Sequence, residues 1–221
     1  MAEFATMDMM DGETEIRDYG LERLIMLSDG VFAIAMTLLA LDLQPEPGWN
    51  HRIDTLPEAI GAPFMAFFWS FFAAAVFWTT HRRQFGAYRR ADAVVTVINL
   101  VLLGEIIVLP VATRLLTQMQ YSTGGLVLYL SLFALIGCTN AASWLYAAFI
   151  GRIVRPPARG PVEKASIALL NATMPVIMTA LGVLSVRPSL RWLPALIPVP
   201  LLIAALVRRG AVALDRRRAD A

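Results

Sequence analysis

The feature that most constrains this chain is a series of apolar stretches, each close to the length that crosses a lipid bilayer. A membrane-spanning helix needs about 20 mainly apolar residues, because each residue adds only about 1.5 Å along the helix axis. Six stretches meet this requirement or nearly meet it: 21–43, 56–80, 93–116, 126–150, 165–186 and 192–207. The last is the weakest, because it is short and contains three prolines. The pattern predicts an all-α integral membrane protein with six transmembrane helices.

The composition agrees with a membrane protein. Of the 221 residues, 57% are apolar and 16% are charged, whereas a soluble domain has about 45–50% and about 25%. The single cysteine, Cys138, lies in an apolar stretch, so neither a disulfide framework nor a cysteine metal cluster is expected. The sequence also lacks the His-Glu-x-x-His and Gly-x-Ser-x-Gly motifs of two enzyme classes. We therefore expect no enzyme activity, no cofactor and no bound metal.

The basic residues predict the orientation of these helices. Positive charge is retained on the cytoplasmic side during membrane insertion. With six helices and both termini in the cytoplasm, only four of the 19 Lys and Arg residues fall in outside loops, namely Arg52, Arg114, Arg187 and Arg191. The arginine clusters thus follow from topology, and they lack the interleaved aromatic residues of a nucleic-acid-binding surface. We expect a multi-pass protein of the inner (plasma) membrane that binds no nucleic acid.

The chain reads as one membrane domain with two short cytoplasmic ends. Residues 1–20 form an acidic lead, 21–207 form the six-helix domain, and 208–221 form an arginine-rich tail. Neither end is long enough to bury a core of its own. We find no convincing internal repeat and no long linker that would divide the membrane domain.

The first predicted helix carries a carboxylate and an apolar stripe on different faces. Asp29 lies about 10 Å inside the span, where a charge costs at least about 2.5–3.5 kcal/mol and needs a partner or water. At about 100° per residue, Ile34, Leu38 and Leu41 fall within about 60° of one another. Asp29 lies about 140° from Ile34 by the same arithmetic. The stripe and the carboxylate must therefore face different surroundings.

The same helix contains a run that is long enough to compare with known families. Residues 23–39 read Arg-x-x-x-Leu-Ser-Asp-Gly-Val-Phe-Ala-Ile-Ala-x-Thr-Leu-Leu. This run resembles the signature of the endolysosomal potassium channel family (transmembrane-protein-175-like), whose prokaryotic members are single six-helix units. Leu27 stands where the family pattern has phenylalanine, which leaves the polar part intact. The sequence His-Arg-Arg-x-Phe at 81–85, together with Asn99 and Pro110, adds to the resemblance.

The resemblance implies a K⁺-permeable cation channel without the Thr-Val-Gly-Tyr-Gly filter, a motif that this sequence also lacks. Family members assemble as tetramers, or as dimers of duplicated chains, with helix 1 lining a central pore. By position, Ile34 would form the narrowest apolar ring, Leu38 and Leu41 would form the next layers, and Thr37 would be a cation contact. The residues implied to hold a network between helices are Arg23, Ser28, Asp29 and His81. Two roles are open for His81, either as a packing residue or as a pH sensor.

Glu105 is a second carboxylate within a predicted span, surrounded by apolar residues of the third helix. An ionisable residue at such a position suggests a functional site. It is either a structural group, neutral or paired with a fourth-helix residue such as Asn140, or a proton or ion site. The alternative function is a proton-coupled secondary transporter that uses Asp29 and Glu105. Transporters commonly contain internal repeats and broken helices near the midplane, which this sequence does not show, so we favour the channel.

Overall fold

The computed structural model describes residues 19–45 and 48–155. This part of the chain consists of four long helices without a β-strand. In chain order they are α1 (Tyr19–Leu38), α2 (Leu56–Phe85), α3 (Ala93–Gln118) and α4 (Thr123–Leu145). Each helix, with the short turns that extend three of them, is long and apolar enough to cross a membrane. The first four predicted spans are therefore present as helices. The predicted spans 165–186 and 192–207 and the tail 208–221 lie outside the described residues.

Short irregular helices extend three of the four long ones. α1 tightens into a 3-10 helix at Leu39–Asp42, and another 3-10 turn at Ile53–Thr55 leads into α2. α4 widens into a π-helical segment at Tyr146–Ile150. We expected a regular helix through residue 43, and the structure instead ends the α-helix at Leu38. The tightening changes how the side chains at this end of α1 line up, because residues three apart in a 3-10 helix lie directly above one another.

Polar residues mark the beginnings of α3 and α4. The Asp92 carboxylate accepts a hydrogen bond from the Val95 amide, and the Ser122 hydroxyl accepts one from the Gly125 amide. Each cap satisfies a backbone donor that has no partner within its helix. Helix α2 ends five residues later than hydropathy alone predicts. Its last turns are polar in sequence but packed, since His81, Gln84 and Phe85 are all buried.

α3 is the central helix of the described bundle, because it packs against α1, α2 and α4. The apolar core consists of three clusters along its length. The middle cluster joins α1, α3 and α4 through the buried residues Phe32, Ala35, Leu102, Leu103, Ile106 and Ile136. The other two lie near the ends of α3, one including Tyr88, Val95 and Trp144 and the other including Leu109, Leu116 and Tyr129. A helix buried on several sides in this way fixes the rotation of its neighbours.

The two ends of the bundle differ strongly in charge. The arginine-rich end, as we call it, contains Arg23, Arg82, Arg83, Arg89, Arg90, Arg152 and Arg155. The opposite end, where α1 passes into its 3-10 turn, contains only Arg52 and Arg114 within the described residues. At the arginine-rich end the loop after α2 pairs with the segment after α4, through Arg89 N to Ile153 O at 2.7 Å and Arg155 N to Ala87 O at 2.9 Å.

Tyr88 packs beneath the paired segments, in the core of the bundle. Its ring is fully buried and stacks on Trp144. Burial raises the pKa of the Tyr88 phenol, while its hydrogen bond with Ser143 acts weakly in the other direction. The phenol is therefore neutral at physiological pH and serves as a packing and hydrogen-bonding group between α2 and α4.

Candidate functional site on the first helix

The two faces of α1 differ in what they contact. Ser28, Phe32, Ala35 and Leu39 are buried against the other helices. On the other side the large apolar side chains of Ile34, Leu38 and Leu41 remain 61%, 41% and 67% exposed. Exposed apolar side chains in a row form a surface that water does not favour. We call this row, with the Thr37 hydroxyl beside it, the α1 column.

The 3-10 turn keeps the α1 column in line. Between Ile34 and Leu38 the chain makes four α-helical steps, which separate the two side chains by about 40°. Leu41 lies three residues after Leu38, within the 3-10 segment that begins at Leu39, and side chains three apart in such a segment eclipse one another. The apolar side chains therefore stack along one line, more closely than a regular α-helix would arrange them.

Thr37 lies on this exposed side with its proton already engaged. Its hydroxyl donates to the Ile34 carbonyl oxygen at 2.8 Å. A hydroxyl has one donor and two acceptor lone pairs, so the Thr37 oxygen keeps acceptor capacity on the exposed face. This arrangement suits an oxygen that contacts a cation or a water molecule.

A chain of hydrogen bonds joins α1 to α2 and α3 on the buried side. The Asn99 amide donates from Nδ2 to the Ser28 hydroxyl at 3.0 Å, and Ser28 donates to the Leu24 carbonyl at 2.8 Å. His81 Nε2 lies 2.8 Å from Asn99 Oδ1. Because that oxygen can only accept, His81 must carry its proton on Nε2. All donors point the same way, toward α1, which strengthens such a network.

His81 is held on its faces as well as at its edge. Its ring stacks on Phe85 with a centroid distance of 4.1 Å and lies 5.7 Å from the Phe32 ring. The side chain is 1% exposed. These contacts connect three helices through His81, and its role as a pH sensor stays a prediction.

Asp29 has its own partner on another helix. The Trp78 indole of α2 donates from Nε1 to Asp29 Oδ1 at 2.8 Å. The Arg82 guanidinium lies over the same indole, 5.4 Å from its centroid, a distance at which a cation is attracted to the ring. Asp29 is thus bound to α2 on the inward side of α1.

The structure therefore brings together three of the four predicted network residues. Ser28 and His81 are linked through Asn99, and Asp29 lies beside Ser28 in the chain with Trp78 as its partner. Arg23 does not join them, because its side chain is exposed near the beginning of α1. Trp78 was not among the predicted network residues. It lies three residues before His81 and four before Arg82, which places all three on the same side of α2, and this spacing could have identified it.

Glu105 lies away from the α1 column. It is buried in α3, and the Thr139 hydroxyl of α4 donates to its Oε1 at 2.7 Å. The partner is thus a fourth-helix residue other than the suggested Asn140, and the second carboxylate oxygen, Oε2, has no hydrogen-bond partner among the described residues. The rotation of α4 directs the preceding residue, Thr139, toward the carboxylate. No cluster of three potential metal ligands occurs within residues 19–45 and 48–155.

Beyond the α1 column lies a charged pair at the opposite end of the bundle. Asp42 follows Leu41, and its Oδ1 lies 3.8 Å from Arg114 Nε of α3. The carboxylate side chain is 22% exposed and the arginine side chain is 63% exposed.

Four apolar helices with buried polar contacts between them make the chain a multi-pass α-helical membrane protein.

Comparison with known proteins shows what the chain is similar to within that class. Residues 23–110 match the model of the family described as endosomal/lysosomal potassium channel TMEM175. A potassium channel from Chryseobacterium is 29% identical over 109 residues, which cover 48% of this chain and 54% of that protein. A potassium channel from Streptomyces collinus is 26% identical over 151 residues, covering 65% of this chain and 72% of that protein.

The fold has a counterpart among solved structures. The crystal structure of a lysosomal potassium-selective channel TMEM175 homolog from Chamaesiphon minutus superposes with a TM-score of 0.62. The match covers 86% of this chain and 97% of that one at 23% identity. The chain is thus similar to TMEM175 channels in sequence over residues 23–110, and it has the fold of that solved structure. It spans about half the length of the Chryseobacterium relative.

Proposed function

We propose that this protein is a K⁺-permeable cation channel of the inner (plasma) membrane, in which α1 of four identical subunits lines a central pore. The relatives that it matches bear the name potassium channel. The observation that carries the proposal is the α1 column, a line of apolar side chains left exposed on a helix whose other side is hydrogen-bonded to α2 and α3. Four such columns around one axis would bury one another and enclose a path.

The need for several subunits follows from geometry. A single exposed helix face cannot surround an ion, and identical subunits usually close a path through cyclic symmetry. With the arginine-rich end in the cytoplasm, as positive-inside orientation requires, the pore would run from the inner side past Ile34 toward Leu41 at the outer side. Both termini of the six-helix chain would then lie in the cytoplasm.

The α1 column would act as a hydrophobic gate. In the proposed pore Ile34 forms the narrowest ring, with Leu38 and Leu41 as further layers. Apolar constrictions close a pore by excluding water, so conduction requires the ring to widen or rotate until water enters. Thr37 would then offer four hydroxyl oxygens to a partly dehydrated cation, in place of the carbonyl filter of other potassium channels.

The test compares two polar substitutions at exposed isoleucines. Ile34→Asn introduces an amide into the α1 column, and Ile107→Asn introduces the same group on α3, where Ile107 is 56% exposed. K⁺ flux into liposomes is measured without a proton gradient, together with the subunit number from single-molecule photobleaching. We expect Ile34→Asn to raise the flux several-fold by hydrating the ring, while Ile107→Asn leaves it unchanged.

Two results would overturn the channel. One is a monomer in the membrane, because one α1 column cannot enclose a path. The other is a flux that Ile34→Asn leaves unchanged and Glu105→Gln abolishes, which would favour the proton-coupled transporter. Asp29 and Glu105, the relay of that transporter, are bonded to Trp78 and Thr139 respectively, and they share no partner within the part of the chain that the structure describes. We assign the protein no catalytic role.

A further inference from the structure

Glu105 is a buried carboxyl group that the proposed ion path does not use. It lies in the middle of α3, and the whole residue is 8% exposed. Its Oε1 accepts a hydrogen bond from the Thr139 hydroxyl at 2.7 Å. Its Oε2 is buried and has no hydrogen-bond partner. Buried polar atoms in native proteins almost always have a partner, so this oxygen requires an explanation.

The neighbouring residue on α4 has the same deficiency. Asn140 Oδ1 is also buried without a hydrogen-bond partner. Both atoms are oxygens that accept hydrogen bonds, and an ionised carboxylate has no proton to donate. Two buried acceptor oxygens on α3 and α4 therefore have no donor within residues 19–45 and 48–155. Adding one proton to the carboxyl group removes the charge from the unpartnered Glu105 oxygen, and a protonated carboxyl is itself a donor.

No positive charge offsets Glu105 among the described residues. The ion pairs found there, Arg52 with Asp54 and Arg114 with Asp42, lie at the opposite end of the bundle. On the helices packed around α3, the nearby titratable groups have other positions or partners. Asp29 accepts from Trp78, His81 donates to Asn99, and Cys138 is exposed. A single carboxylate with one hydroxyl is also too few oxygens for a cation cage.

We propose that Glu105 and Thr139 form a proton-binding site between α3 and α4, distinct from the α1 column. A hydronium ion transfers a proton to Oε2 and leaves as water: one of its O–H bonds breaks, a new O–H bond forms at Oε2, and the positive charge of the hydronium cancels the negative charge of the carboxylate. Oε1 then becomes the carbonyl oxygen, which continues to accept from Thr139. An unpaired carboxylate in a low-dielectric interior binds a proton more readily than it remains charged.

The site lies close to α1 without facing its exposed side. Ile106, the next residue of α3, belongs to the core cluster that includes Phe32 and Ala35 of α1. Loss of the proton would leave a charge in this interface and draw water between the helices. The site itself does not depend on the proposed ion conduction, so a protein that conducts nothing would still show it.

The experiment is infrared spectroscopy of the full chain in lipid nanodiscs at pH 7. Exposed carboxyl groups are ionised at that pH and do not give the carbonyl stretch of a protonated carboxyl. We expect this band in the unmodified protein and its loss in Glu105→Gln. The matched control is Glu58→Gln, which removes an exposed carboxylate in the first turn of α2 and should leave the band unchanged.

A second variant keeps the test decisive if Glu105→Gln does not fold. Thr139→Val removes the donor to the carbonyl oxygen while retaining the shape of the side chain. The band should persist and shift to higher frequency, because a carbonyl without a hydrogen bond vibrates faster. The proposal is overturned if the unmodified protein lacks the band, if the band survives Glu105→Gln, or if Thr139→Val does not move it.

Discussion

The Asn99 side chain donates a hydrogen bond to the Ser28 hydroxyl at 3.0 Å, across 71 residues of chain. This contact sets the rotation of α1 about its own axis. Ser28 and Ile34 are six residues apart, which places them about 120° from each other around the helix. Holding Ser28 against α3 therefore directs Ile34 away from the core. The polar network and the exposed α1 column are two consequences of one helix orientation.

We expect Asn99→Ala to destabilise the protein. The substitution removes the hydrogen bonds to Ser28 and His81, each worth about 0.6 kcal/mol in membrane proteins, and leaves a cavity. The combined loss should be about 1–2 kcal/mol, measured as the free energy of unfolding in bicelles. Ser131→Ala, at an exposed position of α4, is the control and should change it by less than about 0.5 kcal/mol. Equal effects of the two substitutions would show that the network does not stabilise the bundle.

Much of this arrangement could be predicted from residue spacing. The apolar stretches predicted α1 to α4 within a few residues at most ends, because a bilayer sets the length of a spanning helix. The angle between Asp29 and Ile34 predicted that the carboxylate and the apolar stripe face different surroundings. In the structure Asp29 bonds to Trp78 and Ile34 is exposed. Helical periodicity alone determines that relationship.

The partners on other helices could not be predicted in the same way. α4 is apolar around most of its circumference, so its sequence does not define which side faces α3. The sequence alone therefore does not indicate whether Thr139 or Asn140 contacts Glu105. In the structure it is Thr139 that donates a hydrogen bond to the carboxylate. The 3-10 turn after Leu38 was likewise hidden, because Leu39 and Ala40 are good α-helix formers. Tertiary packing decides both features.

The contact between Asp29 and Trp78 should show measurable energetic coupling. Trp78→Phe removes the indole N–H, and Asp29→Asn removes the carboxylate charge. Hydrogen bonds to charged groups contribute about 1.5–3 kcal/mol, so a double-mutant cycle should give a coupling energy of about 1.5 kcal/mol. The cycle also cancels the loss of packing between Arg82 and the ring. A coupling energy near zero would mean that the 2.8 Å contact contributes nothing in the membrane.

Ser70 should matter more for stability than Tyr129, although the two are bonded to each other. Their oxygens lie 2.6 Å apart, and Thr113 also donates to Ser70 at 2.9 Å. Ser70→Ala leaves the buried Tyr129 hydroxyl without this partner, which costs about 1–3 kcal/mol. Tyr129→Phe leaves Ser70 still bonded to the Ala66 carbonyl, so its cost should stay near 1 kcal/mol. Thermal unfolding of both variants in one detergent tests the order, and the reverse order would contradict this account of the Ser70 hydrogen bonds.

Arg114→Gln should alter conduction without altering stability. The pair with Asp42 is long, at 3.8 Å, and partly exposed, and such pairs contribute about 0–1 kcal/mol. In the proposed channel, however, Asp42 lies just beyond Leu41 at the outer mouth, where Arg114 offsets its attraction for cations. Removing the arginine should therefore raise K⁺ flux at low ionic strength, and Asp42→Asn should lower it.

Salt distinguishes this electrostatic effect from a structural one. The Debye length falls from about 30 Å at 0.01 M salt to about 3 Å at 1 M, so both changes in flux should vanish at high ionic strength. Flux measured over that range, with unfolding followed in parallel, separates the two causes. If Arg114→Gln lowers the flux, or changes it equally at every salt concentration, then Asp42 does not act as a cation-attracting charge at the mouth.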